Sequence, residues 1–138
     1  MNKNLRKAVH DKCNGKCAYC GDPLGKKWTV DHVIPQRNYI QFVHNQWRVP
    51  PFLAHLTEFD MNSIDNLLPS CSSCNNYKSS MDLETFRDEL GKLVERLQKT
   101  VTIFKISIRF GLLTKHKKKI VFYFERLKIY DNRNTSIS

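Results

Sequence analysis

The chain has 138 residues, enough for one domain with a modest hydrophobic core. Its 23 Lys and Arg residues against 13 Asp and Glu give a formal net charge of +10, which favours a polyanionic partner such as nucleic acid or an anionic membrane surface, although such a charge also serves solubility alone. No apolar run approaches the roughly 20 residues that span a bilayer, and the basic start lacks the apolar segment of a signal peptide, so we expect an intracellular protein.

A short basic helix is predicted over 3–12, with Leu5, Val9 and Ala8 on its inner face. The turn residues Asn14-Gly15 end it and lead to the first cysteine pair. Trp28-Thr29-Val30 is typical of a short strand.

Four of the five cysteines form two pairs with two-residue spacers, Cys17 with Cys20 and Cys71 with Cys74. Because each such turn aims two sulfurs at one point, the pairs predict a tetrahedral structural Zn²⁺ site. The 50 residues between the pairs (21 to 70) indicate a domain closed by the metal, not a small zinc finger. Cys13 is interpreted as a helix-end or core thiol, with a ligand role in a slipped site as the alternative.

The segment 38–64 is apolar for a linker, and Pro50-Pro51 breaks any long helix. We expect short helical pieces, one of them near 51–57. The residues that make the segment apolar are Ile40, Phe42, Val43, Trp47 and Phe52. The three aromatic residues among them either fill a satellite core or contact nucleic acid.

A helix capped by Asp82 is predicted to run to about Gln98, and Gly91 is expected to weaken it without breaking it. Its expected buried residues are Leu83, Phe86, Leu90, Leu93, Val94 and Leu97. The segment 101–113 fits helix and strand in part, and we favour helix. The composition of 120–127 favours a strand, and the tail after Tyr130 is predicted to be disordered.

Polar residues suited to metal binding or proton transfer follow both cysteine pairs. Asp31 and the amide oxygen of Asn75 offer oxygen ligands to a hard divalent ion, with Asn76 as the alternative to Asn75. His32 is able to take a proton from water near neutral pH for attack on phosphorus. Neighbouring strand residues point to opposite faces, so Asp31 and His32 share a target only if the strand ends there and bends toward Pro35.

The order C-x-x-C, DHxxP, DN and C-x-x-C-N-x-x-K over about residues 13–82 resembles the HNH endonuclease superfamily in its zinc-bracketed form. DHVIPQ, SIDN and CNNYK also resemble the HNH domain of CRISPR effector nucleases. LETFR and FYFER resemble the C-terminal part of small HNH proteins of phages and bacteria.

The resemblance implies an α+β fold with a ββα-metal (His-Me finger) core, closed by a four-cysteine zinc site and carrying flanking helices. We expect a single HNH nuclease domain over 1–130, with the core at about 13–82 and a C-terminal helix or strand extension over 83–130. The residues 131–138 form the predicted disordered tail.

By that likeness His32 is the general base, and Asp31 and Asn75 hold a catalytic Mg²⁺ or Mn²⁺. Asn75 stands where many members have the final His, which makes this an HNN variant. Asn66 is the middle Asn and braces the loop that carries the base through hydrogen bonds to backbone. Lys78, one helical turn beyond Asn75, meets a phosphate of the DNA.

Two of these positions have ordinary explanations as well. Asn66 after Asp65 also fits a turn, and Lys78 also fits a solvated surface charge. A basic cluster follows in the C-terminal part, either as a DNA backbone contact or as a solvated loop; it consists of Lys115, Lys117, Lys118 and Lys119 around His116.

The sequence therefore predicts a metal-dependent DNA endonuclease that hydrolyses phosphodiester bonds, with structural Zn²⁺ and catalytic Mg²⁺ or Mn²⁺. Its expected partner is double-stranded DNA, with no membrane, in the cytoplasm of a bacterial or phage-infected cell. The alternative is a non-catalytic zinc-stabilised module that binds nucleic acid or regulates a partner.

Overall fold

The computed structural model describes residues 1–36 and 47–131. Over these ranges the chain is α+β, with six α-helices and one two-stranded antiparallel sheet, so the coarse fold class is confirmed. The described chain forms two compact units: one contains the N-terminal ranges up to residue 83 together with 121–131, and the other contains 84–120. Of the expected C-terminal extension over 83–130, the residues 84–120 form the second unit and those from 121 onward belong to the first.

Helix α1 spans Lys3–Lys12, as predicted, and buries Val9. The last residue of α1, Lys12, connects this helix to the segment around residues 64–67. The Lys12 ammonium donates hydrogen bonds to the carbonyl oxygens of Ile64 and Leu67, each at 2.7 Å. A half-buried cation thus satisfies two carbonyl groups in the segment that enters the second strand.

The sheet and the helix after it place the candidate site. Strand β1 spans Thr29–His32, strand β2 spans Leu67–Ser70, and helix α2 follows at once over Ser72–Lys78. All four residues of β2 are buried, whereas β1 buries only one of its four. The register pairs Thr29 with Ser70, Val30 with Pro69, Asp31 with Leu68, and His32 with Leu67.

The first cysteine pair lies beside β2. The NH of Ala18 donates to the carbonyl of Pro69 at 2.8 Å, and the carbonyl of Ala18 accepts from the NH of Phe124 at 2.8 Å. The turn between Cys17 and Cys20 is therefore hydrogen-bonded to β2 on one side and to the C-terminal segment on the other.

That C-terminal segment is a helix, so the strand predicted over 120–127 is wrong. Helix α6 spans Tyr123–Arg126. The carboxylate of Glu125 reaches back to accept the NH of Phe122 at 2.8 Å, which satisfies a donor at the helix start. Phe122 and Phe124 are buried, and Tyr19 packs edge-on against Phe122 with ring centroids 5.3 Å apart.

In the described part of the chain before β2, from residue 47 onward, there are three short 3-10 turns, over Pro51–Leu53, Glu58–Asp60 and Ile64–Asn66. The first confirms a helical piece near 51–57, although it is shorter than expected. The ring of Phe52 stacks on Tyr130 with centroids 4.2 Å apart, which favours the core role for this aromatic residue. The expectations for Ile40, Phe42, Val43 and for the tail 132–138 fall outside the described residues.

The second unit contains helices α3 (Leu83–Gly91, whose first residue still belongs to the first unit), α4 (Leu93–Thr100) and α5 (Thr102–Arg109). The predicted single helix to about Gln98 is wrong, because it ends at Gly91 and a new helix begins two residues later. Glycine inside a helix costs roughly 1 kcal/mol relative to alanine, and here the helix ends at that glycine. The preference for helix within 101–113 is confirmed by α5.

Burial in these helices is less complete than predicted. Leu83 and Phe86 are buried, but Val94 and Leu97 are 37% and 41% exposed. Across the described part of the chain, no helix is long and apolar enough to cross a bilayer.

Candidate metal centre and histidine site

The four paired cysteines meet at one point. Their sulfur atoms all lie within 4.8 Å of one another, and the sulfurs of Cys20 and Cys71 are 4.0 Å apart. Tetrahedral Zn²⁺ with Zn–S bonds of about 2.3 Å needs sulfurs roughly 3.8 Å apart. The cluster therefore fits a closed structural metal site, with Cys17 buried and Cys20 at the surface.

Helix and backbone groups help to hold negative charge on this cluster. Cys71 is the N-cap of α2, and its sulfur accepts the NH of Cys74 at 3.4 Å. The pKa of Cys17 is lowered to about 4, first because Cys74 hydrogen-bonds to it and then because backbone NH groups do so, while burial opposes them. Such thiolate stabilisation is what a Zn²⁺ ligand needs.

Cys20 and Cys74 keep their protons more firmly than Cys17. Burial is the main cause that raises the pKa of Cys20 to about 11, and the hydrogen bond with Cys17 is the main cause that raises the pKa of Cys74. A divalent cation would displace the protons of Cys20 and Cys74 and bind four thiolates. This set of donors suits Zn²⁺. Cys13, at the end of α1, is also buried but stands outside the cluster, which agrees with a core thiol.

A glycine closes the first cysteine turn against the C-terminal helix. Gly21 has a φ of +79°, a conformation that side chains with a Cβ rarely adopt. A Cβ here would lie 3.2 Å from the Tyr123 ring. The turn that directs Cys17 and Cys20 into the four-sulfur cluster therefore depends on glycine both for its backbone and for its packing.

Asp31 is the acidic member of a buried cluster. Its carboxylate accepts a hydrogen bond from the hydroxyl of Tyr19, and the Lys78 ammonium lies 3.1 Å from Oδ2 and 3.4 Å from Oδ1. Asp31 is 6% exposed, and Lys78 is fully buried. Burial raises the pKa of Asp31, whereas the Lys78 charge and the Tyr19 hydroxyl oppose that rise.

This cluster corrects two expectations. Lys78 cannot meet a DNA phosphate from its observed position, because its ammonium is inaccessible and already paired with Asp31. A divalent ion at Asp31 and Asn75 does not fit the side chains as they lie, since Lys78 supplies the positive charge at that carboxylate and Tyr19 binds it as well. Asp31 is thus the anion of a buried ion pair.

His32 lies on the other face of the strand from Asp31. Both residues are paired within β1, Asp31 opposite Leu68 and His32 opposite Leu67, so their side chains point to opposite faces; the strand ends at His32 and the chain bends only after it, at Val33 and Ile34. The Nε2 atom of His32 lies 2.9 Å from Oδ1 of Asn62. The imidazole is half-buried, while Asn62 is exposed.

Asn66 is buried behind the end of β1. Its Oδ1 accepts the NH of Ile34 at 2.8 Å, and its Nδ2 donates to the carbonyl oxygens of Ile34 and Met61, both at 2.9 Å. Its backbone carbonyl also accepts the NH of Val33 at 2.9 Å. The Asn66 side chain therefore joins the segment just after His32 to the loop that contains Met61.

The remaining expected site residues lie elsewhere. Asn75 is half-buried on α2, and within residues 1–36 and 47–131 its side chain makes no hydrogen bond; Asn76 on the same helix is exposed. Lys115, whose ammonium donates to Gln98 at 2.7 Å, and the lysines at 117–119 belong to the second unit and are exposed. Because these lysines are exposed, they are accessible to DNA, and their contact with DNA stays a prediction.

Two residues at the site were not anticipated from the sequence. Tyr19 lies between Cys17 and Cys20, where the sequence offers no sign that its hydroxyl reaches Asp31. Asn62 lies in the poorly patterned segment before Asn66, and only the fold brings it to His32. Comparison with known proteins gave no matching family model, no similar curated protein and no similar solved structure.

Proposed function

We propose that this protein is a nuclease of the HNH type that hydrolyses phosphodiester bonds in DNA, with His32 as the general base. The order of elements supports this proposal, because two antiparallel strands and a helix follow one another around a four-cysteine cluster. The same order is what the ββα-metal fold requires. The net charge of +10 suits a polyanionic substrate.

The observation that carries the proposal is the setting of His32. Its imidazole is partly open to solvent at the end of β1, and buried hydrogen bonds from Asn66 hold the backbone immediately after it. A general base must keep a fixed position relative to the water that it deprotonates. A rigid strand end with a solvent-accessible imidazole meets that need.

In the proposed reaction a water beside His32 attacks phosphorus. The imidazole accepts a proton from this water while the new O–P bond forms and the bond from phosphorus to the leaving oxygen breaks. The family resemblance implies Mg²⁺ or Mn²⁺ to stabilise the phosphate. Because Lys78 holds Asp31, we assign no step to such an ion at Asp31 and Asn75.

The test is cleavage of supercoiled plasmid by the zinc-loaded protein with Mg²⁺, with Mn²⁺ and with EDTA. His32→Ala is expected to lower the rate by ~10²–10⁴-fold, as the loss of a general base does. His55→Ala is the matched control, since this exposed histidine of the same unit bonds to Asp65 and has no place in the proposed site. Equal rates for wild type and His32→Ala would remove the proposed mechanism.

A second candidate is a zinc-stabilised module that binds nucleic acid without cutting it. The buried pair of Asp31 and Lys78 favours this candidate, because it occupies the carboxylate that the nuclease hypothesis assigns to a metal. The exposed lysines of the second unit serve binding equally well in either case. DNA binding without cleavage in the presence of either Mg²⁺ or Mn²⁺ would select this function.

A further inference from the structure

The contact between His32 and Asn62 suits one tautomer of the imidazole ring. Nε2 of His32 lies 2.9 Å from Oδ1 of Asn62, and because a carbonyl oxygen only accepts, this hydrogen bond forms when Nε2 carries the proton. In the neutral imidazole this leaves the lone pair on Nδ1. A general base needs such a lone pair at a defined position.

Buried hydrogen bonds hold both partners of this contact. Asn66 Nδ2 donates to the carbonyl of Met61, the residue before Asn62, and to the carbonyl of Ile34, two residues after His32. Asn66 is fully buried, and Met61 is 3% exposed. The buried Asn66 amide therefore fixes the two backbone segments that carry the imidazole and its acceptor.

The loop that carries Asn62 is also stabilised from within. Thr57 and Asp60 cap the turn before it, since the Asp60 carboxylate accepts the NH of Thr57 at 2.8 Å and its hydroxyl at 3.0 Å. After Asn62, the NH of Asn66 donates to the carbonyl of Ser63 at 3.0 Å. Asn62 thus projects from a short loop that has hydrogen-bonded turns on both sides.

We propose that Asn62 is a positioning residue for His32, which holds the Nε2–H form of the ring and presents the Nδ1 lone pair to the attacking water. Because Asn62 is exposed, this hydrogen bond competes with water and contributes little to folding stability. Its consequence is the orientation and tautomer of His32. This inference rests on the proposed function, in which His32 is the base.

The test uses two variants of nearly the same size as asparagine. Asn62→Leu removes the acceptor, whereas Asn62→Asp keeps an oxygen that accepts from Nε2–H. The first readout is the ¹⁵N spectrum of the His32 ring in the zinc-loaded protein under alkaline conditions that keep the ring neutral, with the urea-unfolded chain as reference. We expect Nε2 protonated in wild type and in Asn62→Asp, and a mixture of both tautomers in Asn62→Leu.

The second readout is plasmid cleavage. Asn62→Leu is expected to lower kcat roughly 10- to 100-fold with little change in KM, and Asn62→Asp is expected to restore most of the lost rate. Glu58→Ala, an exposed change in the same loop, is the control and should match wild type.

The two readouts separate the two hypotheses. A wild-type ring with Nδ1 protonated, or a tautomer ratio that Asn62→Leu leaves unchanged, would overturn the positioning role whatever the activity. If the ring spectra follow our expectation but wild-type protein cleaves no DNA, the contact stands as a structural one. In that case the proposed function fails, and with it the catalytic meaning of Asn62.

Discussion

The ammonium nitrogen of Lys78 lies 3.1 Å from Oδ2 of Asp31, and the two side chains are 0% and 7% exposed. The pair joins helix α2 to strand β1, and the Tyr19 hydroxyl adds the first cysteine turn to the same point. A buried charge without its partner is costly, whereas a buried pair replaced as a whole often is not. The energetic role of this pair is therefore open to a direct test.

Lys78→Met is expected to lower the free energy of unfolding by about 3–5 kcal/mol, because it leaves the Asp31 carboxylate buried without its cation. The double variant Asp31→Asn with Lys78→Met removes both charges and should lose much less. Urea unfolding of the zinc-loaded proteins measures both. A double variant as unstable as the single one would show that packing, not charge, makes Lys78 important.

The same variants show whether Lys78 takes the place of a metal. Without the ammonium, the Asp31 carboxylate becomes available to a divalent ion, so Lys78→Met should bind Mn²⁺ more tightly than wild type. The double variant lacks the carboxylate and should not. Electron paramagnetic resonance of free Mn²⁺ gives the affinities, and equal affinities in all three proteins would refute competition at Asp31.

Zinc removal is expected to unfold the first unit. The four sulfurs within 4.8 Å predict one Zn²⁺ per chain, and a closed site of this type contributes folding free energy directly. Elemental analysis gives the stoichiometry, and circular dichroism during chelation follows the loss of structure. Cys71→Ala should lose the metal, whereas Cys13→Ala should keep it. Loss of zinc from Cys13→Ala would instead support a slipped ligand set.

Asn66→Ala is expected to cost about 2–4 kcal/mol, because it leaves backbone groups of Ile34 and Met61 buried without partners. Asn66→Asp should not rescue it, since a carboxylate accepts from the Ile34 NH but cannot donate to the two carbonyls. Asn62→Ala, in the same loop but exposed, is the matched control and should change stability little. Thermal or urea unfolding compares the three. Equal losses of unfolding free energy in Asn66→Ala and Asn62→Ala would argue that the buried hydrogen bonds of Asn66 do not brace this loop.

The exposed lysines at 117–119 are expected to contribute affinity for DNA that depends on salt and not on sequence. Changing all three to Glu should weaken binding and reduce the slope of log affinity against log salt by roughly 0.9 for each phosphate that the protein no longer neutralises. Binding of several unrelated duplexes across a salt series measures this. Lys3→Glu with Lys7→Glu on α1 is the comparison, and a larger loss there would locate the basic surface on that helix.

Local features of the sequence were enough for part of this structure. The two-residue cysteine spacers predicted a four-sulfur cluster, because the geometry of each turn depends on a few neighbouring residues and only the meeting of the two pairs is a tertiary event. The periodicity of 3–12 likewise predicted α1 with its observed ends. In both cases the determining interactions lie within a few residues of one another.

Local composition was misleading where neighbouring groups compete with it. The aromatic run around Phe122 and Phe124 suggested a strand, yet the Glu125 carboxylate caps a helix there, and both rings are buried in the first unit. Gly91 lies in a continuous apolar pattern, yet the helix ends at it. At Gly91 the low helix preference of glycine outweighed the apolar pattern. At Phe122 the hydrogen bond to Glu125 outweighed the strand preference of the aromatic residues.

Only the tertiary structure decided the environment of the charged residues. Lys78, three residues after Asn75, fits an exposed helix position in the sequence, and Asp31 fits a metal ligand. Their burial against each other depends on β1, α2 and the cysteine turn with Tyr19, which come from distant parts of the chain. The contact of His32 with Asn62 spans 30 residues in the same way. Desolvation and pairing of polar groups are set by all the segments around them, and no local pattern contains that information.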